Sequence, residues 1–289
     1  MSDVIRVILN NFKSEIMDII IFISDNFMAV IFFMVSFFSS LVGAICGIGG
    51  GVIIKPVLDA VGVMSVSAVS FLSGCTVLSM SIISVFKALK GGSAKINTKL
   101  TTWLALGSVF GGIMGKMLFQ HIKVAFANEN VLGMIQSIVL VLMTIGTFIY
   151  TLKKSQIETK RYENKLLCLV IGIILGICSS FLGIGGGPIN LVILIYFFSM
   201  GTKEAAINSI YIILFSQIAS LVQSIVKQTI PEVSLVFLIT MVLGGVLGGM
   251  AGGIVNKKIS EEKVDKLFLA LMGVIIFINI YNTYVFATA

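Results

Sequence analysis

The sequence predicts an all-α polytopic membrane protein, and three observations support this fold class. The 289 residues are 57% hydrophobic and only 11% charged, whereas a soluble domain carries about 25% charged residues. Mean hydropathy is +1.09, and apolar stretches recur along the whole chain. Runs such as 30–35 and 167–175 are almost continuously apolar rather than alternating, which favours helices over an outer-membrane barrel.

Apolar stretches of two lengths divide the chain. A helix needs roughly 20 apolar residues to cross a bilayer. Stretches of about that length lie at 27–46, 65–88, 99–119, 131–151, 166–182, 202–226, 233–254 and 265–286. Two others, 52–61 and 188–199, would cover only half of a core about 30 Å thick. We expect these two to be broken or re-entrant half-helices.

Less apolar segments flank and divide the membrane region. Residues 1–25 contain apolar side chains at helical spacing, which predicts an interfacial amphipathic helix. The charged segment 152–165 is expected to be a cytoplasmic linker. It separates a first transmembrane repeat, 26–151, from a second, 166–289.

Two glycine patterns indicate that these regions repeat each other. The sequence GIGGG at 47–51 recurs at 183–187, a shift of 136 positions. Glycines 107, 111 and 112 recur as glycines 244, 248 and 249, a shift of 137. Both regions also have the same order: a span, GIGGG, a short apolar piece and three spans.

Basic residues predict the orientation. Segments 87–99, 152–165 and 257–266 are rich in lysine, and positive loops face the cytoplasm. The span 65–88 then runs inward and its counterpart 202–226 runs outward, so the two repeats of about five membrane segments are inverted. Lys116 and Lys123 would lie outside. The net charge of +7 is explained by these loops, and we expect no nucleic-acid partner.

Two segments resemble a known family. Residues 43–58 read GAICGIGGGVIIKPVL, and residues 176–188 read GICSSFLGIGGGP. Small residues, GIGGG and a short apolar helix resemble the TauE/SafE family of sulfite and organosulfonate transporters, over about the whole chain after the N-terminal helix. The resemblance implies a bacterial inner-membrane transporter of sulfite, a sulfonate or a related sulfur-containing anion. Another small organic anion, such as a carboxylate, is the alternative.

The glycine loops are the first candidate binding residues. A break at GIGGG exposes backbone N–H groups at the start of a half-helix, where the helix dipole also favours an anion. The candidates are Gly49, Gly50, Gly51, Gly185, Gly186 and Gly187. Close helix packing is the alternative role for glycine in a membrane.

Lys55 and a set of polar side chains complete the candidate site. Lys55 could be a fixed charge for the substrate, or it could pair with Asp59 one turn later or reach the interface. Hydroxyl and amide groups on the helix after each half-helix could line a pathway for an oxyanion, although serine and threonine also pack well between membrane helices. These candidates are Ser70, Ser73, Thr76, Asn208 and Gln217.

Other classes of function fit less well. The sequence contains one histidine and no HExxH or metal-ligand cluster, so we expect no enzyme, catalytic residue, metal or cofactor. A structural membrane protein would not need two matched helix breaks. The expected partners are a small anion and the lipid bilayer, and a homo-oligomer is left open.

Overall fold

A computed structural model describes residues 27–91, 96–126 and 128–288. The predicted N-terminal helix, 1–25, lies outside the described residues. The helices are α1 Phe27–Cys46, α2 Gly51–Val61, α3 Val66–Gly91, α4 Thr98–Phe126, α5 Glu129–Lys153, α6 Lys165–Leu182, α7 Pro188–Phe198, α8 Thr202–Val226, α9 Leu235–Lys258 and α10 Glu261–Thr288.

Eight of these helices are long and apolar enough to cross a membrane, which confirms the predicted polytopic class. The helices α2 and α7 have 11 residues each and fall where the two short pieces were predicted. Left-handed glycines mark the breaks: Gly47 follows α1 with a φ of 74°, and Gly183 follows α6 with a φ of 65°. Pro188 then starts α7, a position where its missing N–H has no cost.

Glycines join α4 and α6 into a close parallel pair. A β-carbon on Gly107 would lie 2.2 Å from the Leu169 carbonyl oxygen, and one on Gly111 would lie 2.1 Å from the Ile173 carbonyl oxygen. Only glycine permits such an approach between backbones. Residue numbers increase together along both helices, so α4 and α6 run in the same direction.

The helices α1 and α9 form the counterpart of that pair. A β-carbon on Gly244 would lie 2.8 Å from the Phe33 carbonyl oxygen, and one on Gly248 would lie 2.2 Å from the Phe37 carbonyl oxygen. These helices are also parallel. The fourth helix of each half therefore packs on the first helix of the other half.

The last helices of the two halves, α5 and α10, run antiparallel. Gly133, near the start of α5, faces the ring of Phe286 near the end of α10. At the opposite end, Lys154 Nζ lies 2.5 Å from Asp265 Oδ2 near the start of α10. The same end of the bundle contains the start of α8, because Thr202 donates a hydrogen bond of 3.0 Å to Asp265.

The two GIGGG loops meet at mid-length of α3 and α8. A β-carbon on Gly51 would lie 2.0 Å from the Ile184 carbonyl oxygen. Val77 of α3 packs on Gly185, and Ile213 of α8 packs on Gly186. The chain breaks therefore face each other at the centre of the bundle.

The helix α4 extends beyond the predicted span 99–119 and continues to Phe126. Lys116 is buried between helices, with 8% of its surface exposed. Because α4 has 29 residues, Lys116 lies more than two turns before its end. The predicted location of Lys116 and Lys123 on the outer side of the membrane stays a prediction.

Candidate functional site

A small cavity of about 30 Å³, roughly the volume of one water molecule, lies beside the second glycine loop. We call it the Lys116 cavity. It is formed by α3, α4, α8 and the end of α6. Its lining residues are Ser70, Phe71, Gly74, Cys75, Lys116, Phe119, Ser180, Gly183, Gln217, Ser220, Leu221 and Ser224.

Lys116 supplies a buried positive charge to this cavity. Its Nζ lies 4.9 Å from the centre of the Phe119 ring. Among the described residues, no carboxylate lies within ion-pair distance of it. An ionisable side chain inside a membrane is costly unless it has a counter-charge or faces a cavity. The cavity therefore contains a cation whose charge no described side chain neutralises.

Hydroxyl groups face the same space. The Oγ atoms of Ser70 and Ser180 are buried and have no hydrogen-bond partner in the described part of the chain. The amide of Gln217 also lines the cavity, and its Nε2 donates a hydrogen bond of 3.3 Å to Ser179 Oγ. An unpaired hydroxyl can donate to an oxyanion. The cavity thus combines positive charge with free donors.

Glycines bring these groups together. A β-carbon on Gly112 would lie 2.8 Å from the Ser216 carbonyl oxygen, so α4 approaches α8 closely one turn before Lys116. A β-carbon on Gly183 would lie 2.6 Å from Ser70 Oγ. The left-handed backbone at Gly183 therefore places the loop directly against α3.

A larger vestibule of about 210 Å³ adjoins the cavity. Lys116 and Phe119 line both spaces. The vestibule also contains Lys123, whose Nζ lies 2.7 Å from Glu129 Oε1. The charge of Lys123 is therefore balanced, whereas Lys116 lies unbalanced between the vestibule and the cavity. The lining is Ser67, Lys116, Phe119, Gln120, Lys123, Thr229, Ile230 and Pro231.

Lys55 makes one of its three predicted arrangements, the pair with Asp59. Its Nζ lies 2.5 Å from Asp59 Oδ2, one turn along α2. Both residues are buried, at 3% and 7% exposure. The carboxylate neutralises the lysine, and neither residue lines the Lys116 cavity.

Five of the six candidate glycines face the opposite loop or a neighbouring helix, and Gly187 faces Ile184 and Ile189 of its own segment. A β-carbon on Gly49 would lie 3.4 Å from the Gly185 carbonyl oxygen. None of the six lines the Lys116 cavity, although the neighbouring Gly183 does. Their binding of an anion through backbone N–H groups stays a prediction.

The predicted polar residues separate into two groups. Ser70 and Gln217 line the cavity. Ser73 lies beside Gly51, and the Thr76 hydroxyl donates to the Leu72 carbonyl oxygen at 2.8 Å. Asn208 Oδ1 accepts a hydrogen bond of 2.6 Å from Thr101, which ties α8 to α4. The last three have structural contacts rather than cavity positions.

Sequence reasoning missed Lys116 and two serines of the cavity, Ser180 and Ser224. A signal for Lys116 was present, because residue 116 lies inside the predicted span 99–119 and a lysine within a span is a functional candidate. The serines carry no comparable signal, since serine is common between membrane helices. Among the described residues, no group of three or more histidine, cysteine or acidic side chains could hold a metal.

Eight potential spans around a buried cationic cavity define a polytopic membrane transporter, and the comparisons with known proteins agree. The chain belongs to the TauE/SafE family: the family model "Sulfite exporter TauE/SafE" matches residues 32–279. The chain is similar to a probable membrane transporter protein, MJ0441, of Methanocaldococcus jannaschii, with 27% identity over 83% of this chain and 91% of that one. It is also similar to the probable membrane transporter protein YjnA of Bacillus subtilis, with 27% identity over 58% of this chain and 67% of that one. No solved structure matches the chain.

Proposed function

We propose that this transporter moves a small sulfur-containing oxyanion, such as sulfite or an organosulfonate, and binds it at Lys116, where the Lys116 cavity opens into the vestibule. One observation carries the proposal: a buried lysine without a carboxylate partner among the described residues faces a cavity with unpaired hydroxyls. The family description as a sulfite exporter supports the sulfur anion.

Each lining group has a distinct task in this proposal. Lys116 supplies a positive charge that compensates for part of the hydration that the anion loses when it enters. Ser70 and Ser180 donate hydrogen bonds to separate oxygens of the anion. The Gln217 amide holds the backbone next to Ser180 through its hydrogen bond to Ser179. A sulfite or sulfonate has three oxygens to accept these donors, whereas a carboxylate has two. The donor set therefore favours a sulfur oxyanion over a small carboxylate.

The glycine loops serve the next step of transport. An anion that leaves the Lys116 cavity toward the centre of the bundle meets the starts of α2 and α7. Backbone N–H groups there have no intrahelical acceptor and carry the positive end of the helix dipole. The loops of Gly49–Gly51 and Gly185–Gly187 would stabilise the anion in transit.

The proposal includes two inverted repeats, with the lysine-rich end of the bundle in the cytoplasm. Two features support the inversion. The helices α5 and α10 run antiparallel, and the fourth helix of each half packs on the first helix of the other half in the exchanged pairs α4–α6 and α1–α9. The positive-inside bias supports the orientation. The vestibule beside Lys123 then faces the outer side of a bacterial inner membrane.

Flux into proteoliposomes tests the proposed function. Purified protein should move sulfite and methanesulfonate, and acetate more slowly. Lys116→Gln removes the charge while keeping most of the volume. A hydrogen bond to a charged group contributes about 1.5–3 kcal/mol, so we expect the apparent affinity to fall by roughly 10- to 100-fold.

The matched control is Lys90→Gln, because Lys90 is exposed at the end of α3. It removes one positive charge outside the cavity, and its flux should equal that of the unchanged protein. Wild-type affinity in the Lys116 variant would overturn the site. Absence of flux for every anion would overturn the function.

A further inference from the structure

A second cavity lies at the lysine-rich end of the bundle, away from Lys116. It measures about 110 Å³, and we call it the Lys203 cavity. It lies between the ends of α3 and α9 and the start of α8. Its lining residues are Ala44, Ser84, Lys87, Ala88, Lys203, Ala206, Ile207, Ile210, Gly249, Gly253, Ile254, Asn256 and Lys257.

The two cavities correspond to each other through the sequence repeat. The shifts of 136 and 137 positions that relate the GIGGG loops and the helix glycines also relate the cavity walls. The matched pairs are Ser180 and Ala44, Ser70 and Ala206, Ser220 and Ser84, Ser224 and Ala88, Lys116 and Gly253, and Phe119 and Asn256. The vestibule extends the match, because Ser67 corresponds to Lys203.

The first glycine of each GIGGG loop packs against a residue that lines one of the two cavities. A β-carbon on Gly47 would lie 2.4 Å from the Ala206 β-carbon, and one on Gly183 would lie 2.6 Å from the Ser70 β-carbon. Ser70 and Ala206 are themselves a matched pair. In each cavity, therefore, a lining residue packs on the first glycine of one loop. The two cavities lie at opposite ends of the bundle.

We infer that the Lys203 cavity is the second entrance of the anion route, on the side opposite the Lys116 vestibule; this rests on the proposed function. Three lysines line it, Lys87, Lys203 and Lys257. No carboxylate of the described residues lies within ion-pair distance of their Nζ atoms. A lysine-lined opening attracts the same small anions that the Lys116 cavity binds.

The walls of the two entrances differ in chemistry. Where the Lys116 cavity has Ser70, Ser180 and Lys116, the Lys203 cavity has Ala206, Ala44 and Gly253. At these matched positions the second cavity therefore lacks the lysine and the two serines that surround the anion at the Lys116 end. It is a passage that concentrates the anion at its lysine-lined mouth, whereas the tighter binding occurs at the Lys116 end.

The barrier between the entrances is the crossing of the two loops. Val77 and Ile213, which are matched positions with no exposed surface, pack on Gly185 and Gly186 there. Passage of the anion from one entrance to the other therefore requires the two loops to move apart.

Cysteine labelling from each side of the membrane tests the two entrances. The matched serines Ser220 and Ser84 allow nearly isosteric replacements, Ser220→Cys and Ser84→Cys, in a chain whose four native cysteines are replaced by serine. A membrane-impermeant maleimide should label Ser220→Cys in right-side-out vesicles and Ser84→Cys in inside-out vesicles. Each variant should lose this labelling when the reagent is on the other side.

Two further measurements link the labelling to the route. Methanesulfonate should slow the labelling of Ser220→Cys, and modified Ser84→Cys should lose flux. Ser81→Cys is the control, since Ser81 lies one turn from Ser84 with no exposed surface, and it should remain unlabelled.

Labelling of both serine positions from one side, or full flux after modification of Ser84→Cys, would overturn the inference. Labelling itself needs no transport. If each position is labelled only from its expected side but no tested anion is transported, the result would count against the proposed substrate and still support the two entrances.

Discussion

Lys55 Nζ lies 2.5 Å from Asp59 Oδ2, and this buried pair sits between α2, α5 and α10. In the described part of the chain, two buried lysines, Lys55 and Lys116, thus have opposite electrostatic environments. The carboxylate of Asp59 neutralises Lys55, whereas Lys116 faces a cavity without such a partner. The difference separates a structural ion pair from a charge that is available to a substrate.

The first prediction concerns the Lys55 pair. Lys55→Met alone leaves a buried carboxylate without its counter-charge, and breaking a buried pair costs about 3–5 kcal/mol. The double variant Lys55→Met/Asp59→Leu removes both charges and should unfold close to the wild-type temperature. Thermal unfolding in detergent measures both. The double variant should also retain flux, and a folded double variant without flux would show that the Lys55–Asp59 pair takes part in transport.

The second prediction concerns the close pair of α4 and α6. A methyl group on Gly111 would lie 2.1 Å from the Ile173 carbonyl oxygen, whereas one on Gly146 of α5 would meet no atom within 4 Å. Gly111→Ala should therefore separate the helices and lower the unfolding temperature. Gly146→Ala should raise it slightly, because alanine favours a helix by about 0.5–1 kcal/mol. Equal effects at both positions would contradict the close approach.

The third prediction concerns Asn208, which is fully buried. Its Oδ1 accepts hydrogen bonds from Thr101 Oγ1 at 2.6 Å and from the Asn97 N–H at 3.0 Å. Asn208→Ala leaves these donors unpaired, at a cost of about 1–3 kcal/mol. We expect a lower unfolding temperature with an unchanged apparent affinity for methanesulfonate.

The neighbouring Ser209 is the control for Asn208. It is equally buried, and its hydroxyl has no partner in the described part of the chain. Ser209→Ala should leave stability unchanged or raise it. A loss of anion affinity in folded Asn208→Ala would instead place Asn208 in the binding site, as the sequence predicts.

The fourth prediction uses Cys75, a native thiol that lines the Lys116 cavity. A small thiol reagent should modify Cys75 and stop flux, because the adduct fills a cavity of about 30 Å³. Methanesulfonate should slow the reaction, and it is preferable to sulfite because sulfite itself reacts with such reagents. In Cys75→Ser the inhibition should disappear. Continued flux after complete modification of Cys75 would place the binding site elsewhere.

Much of the fold follows from local features of the sequence. The length of an apolar stretch decides whether a helix crosses the bilayer, so the span 202–226 was predicted with the bounds of α8. The two short helices were predicted for a similar reason, because GIGGG interrupts the apolar run at a residue type that adopts a positive φ. Helix lengths and breaks are therefore local properties that a single sequence contains.

The site depends on contacts between distant helices, and the sequence predicts it only in part. Ser70 and Gln217 were chosen because they lie on the helices that follow the breaks, and both line the cavity. Lys116 comes from another helix, which approaches through Gly112 and Gly115. Lys55 was equally prominent in the sequence, yet only the burial of Asp59 beside it decides its role. Which side chains meet across helices cannot be deduced from a local stretch of sequence.

The exchanged pairs α4–α6 and α1–α9 also determine the order of assembly during synthesis. The face of α1 that later receives Gly244 and Gly248 has no protein partner when the first half enters the bilayer, so lipid covers it until α9 is inserted. Biogenesis therefore cannot finish the first half before the second is made. Two halves produced as separate chains must meet in the same membrane to become stable.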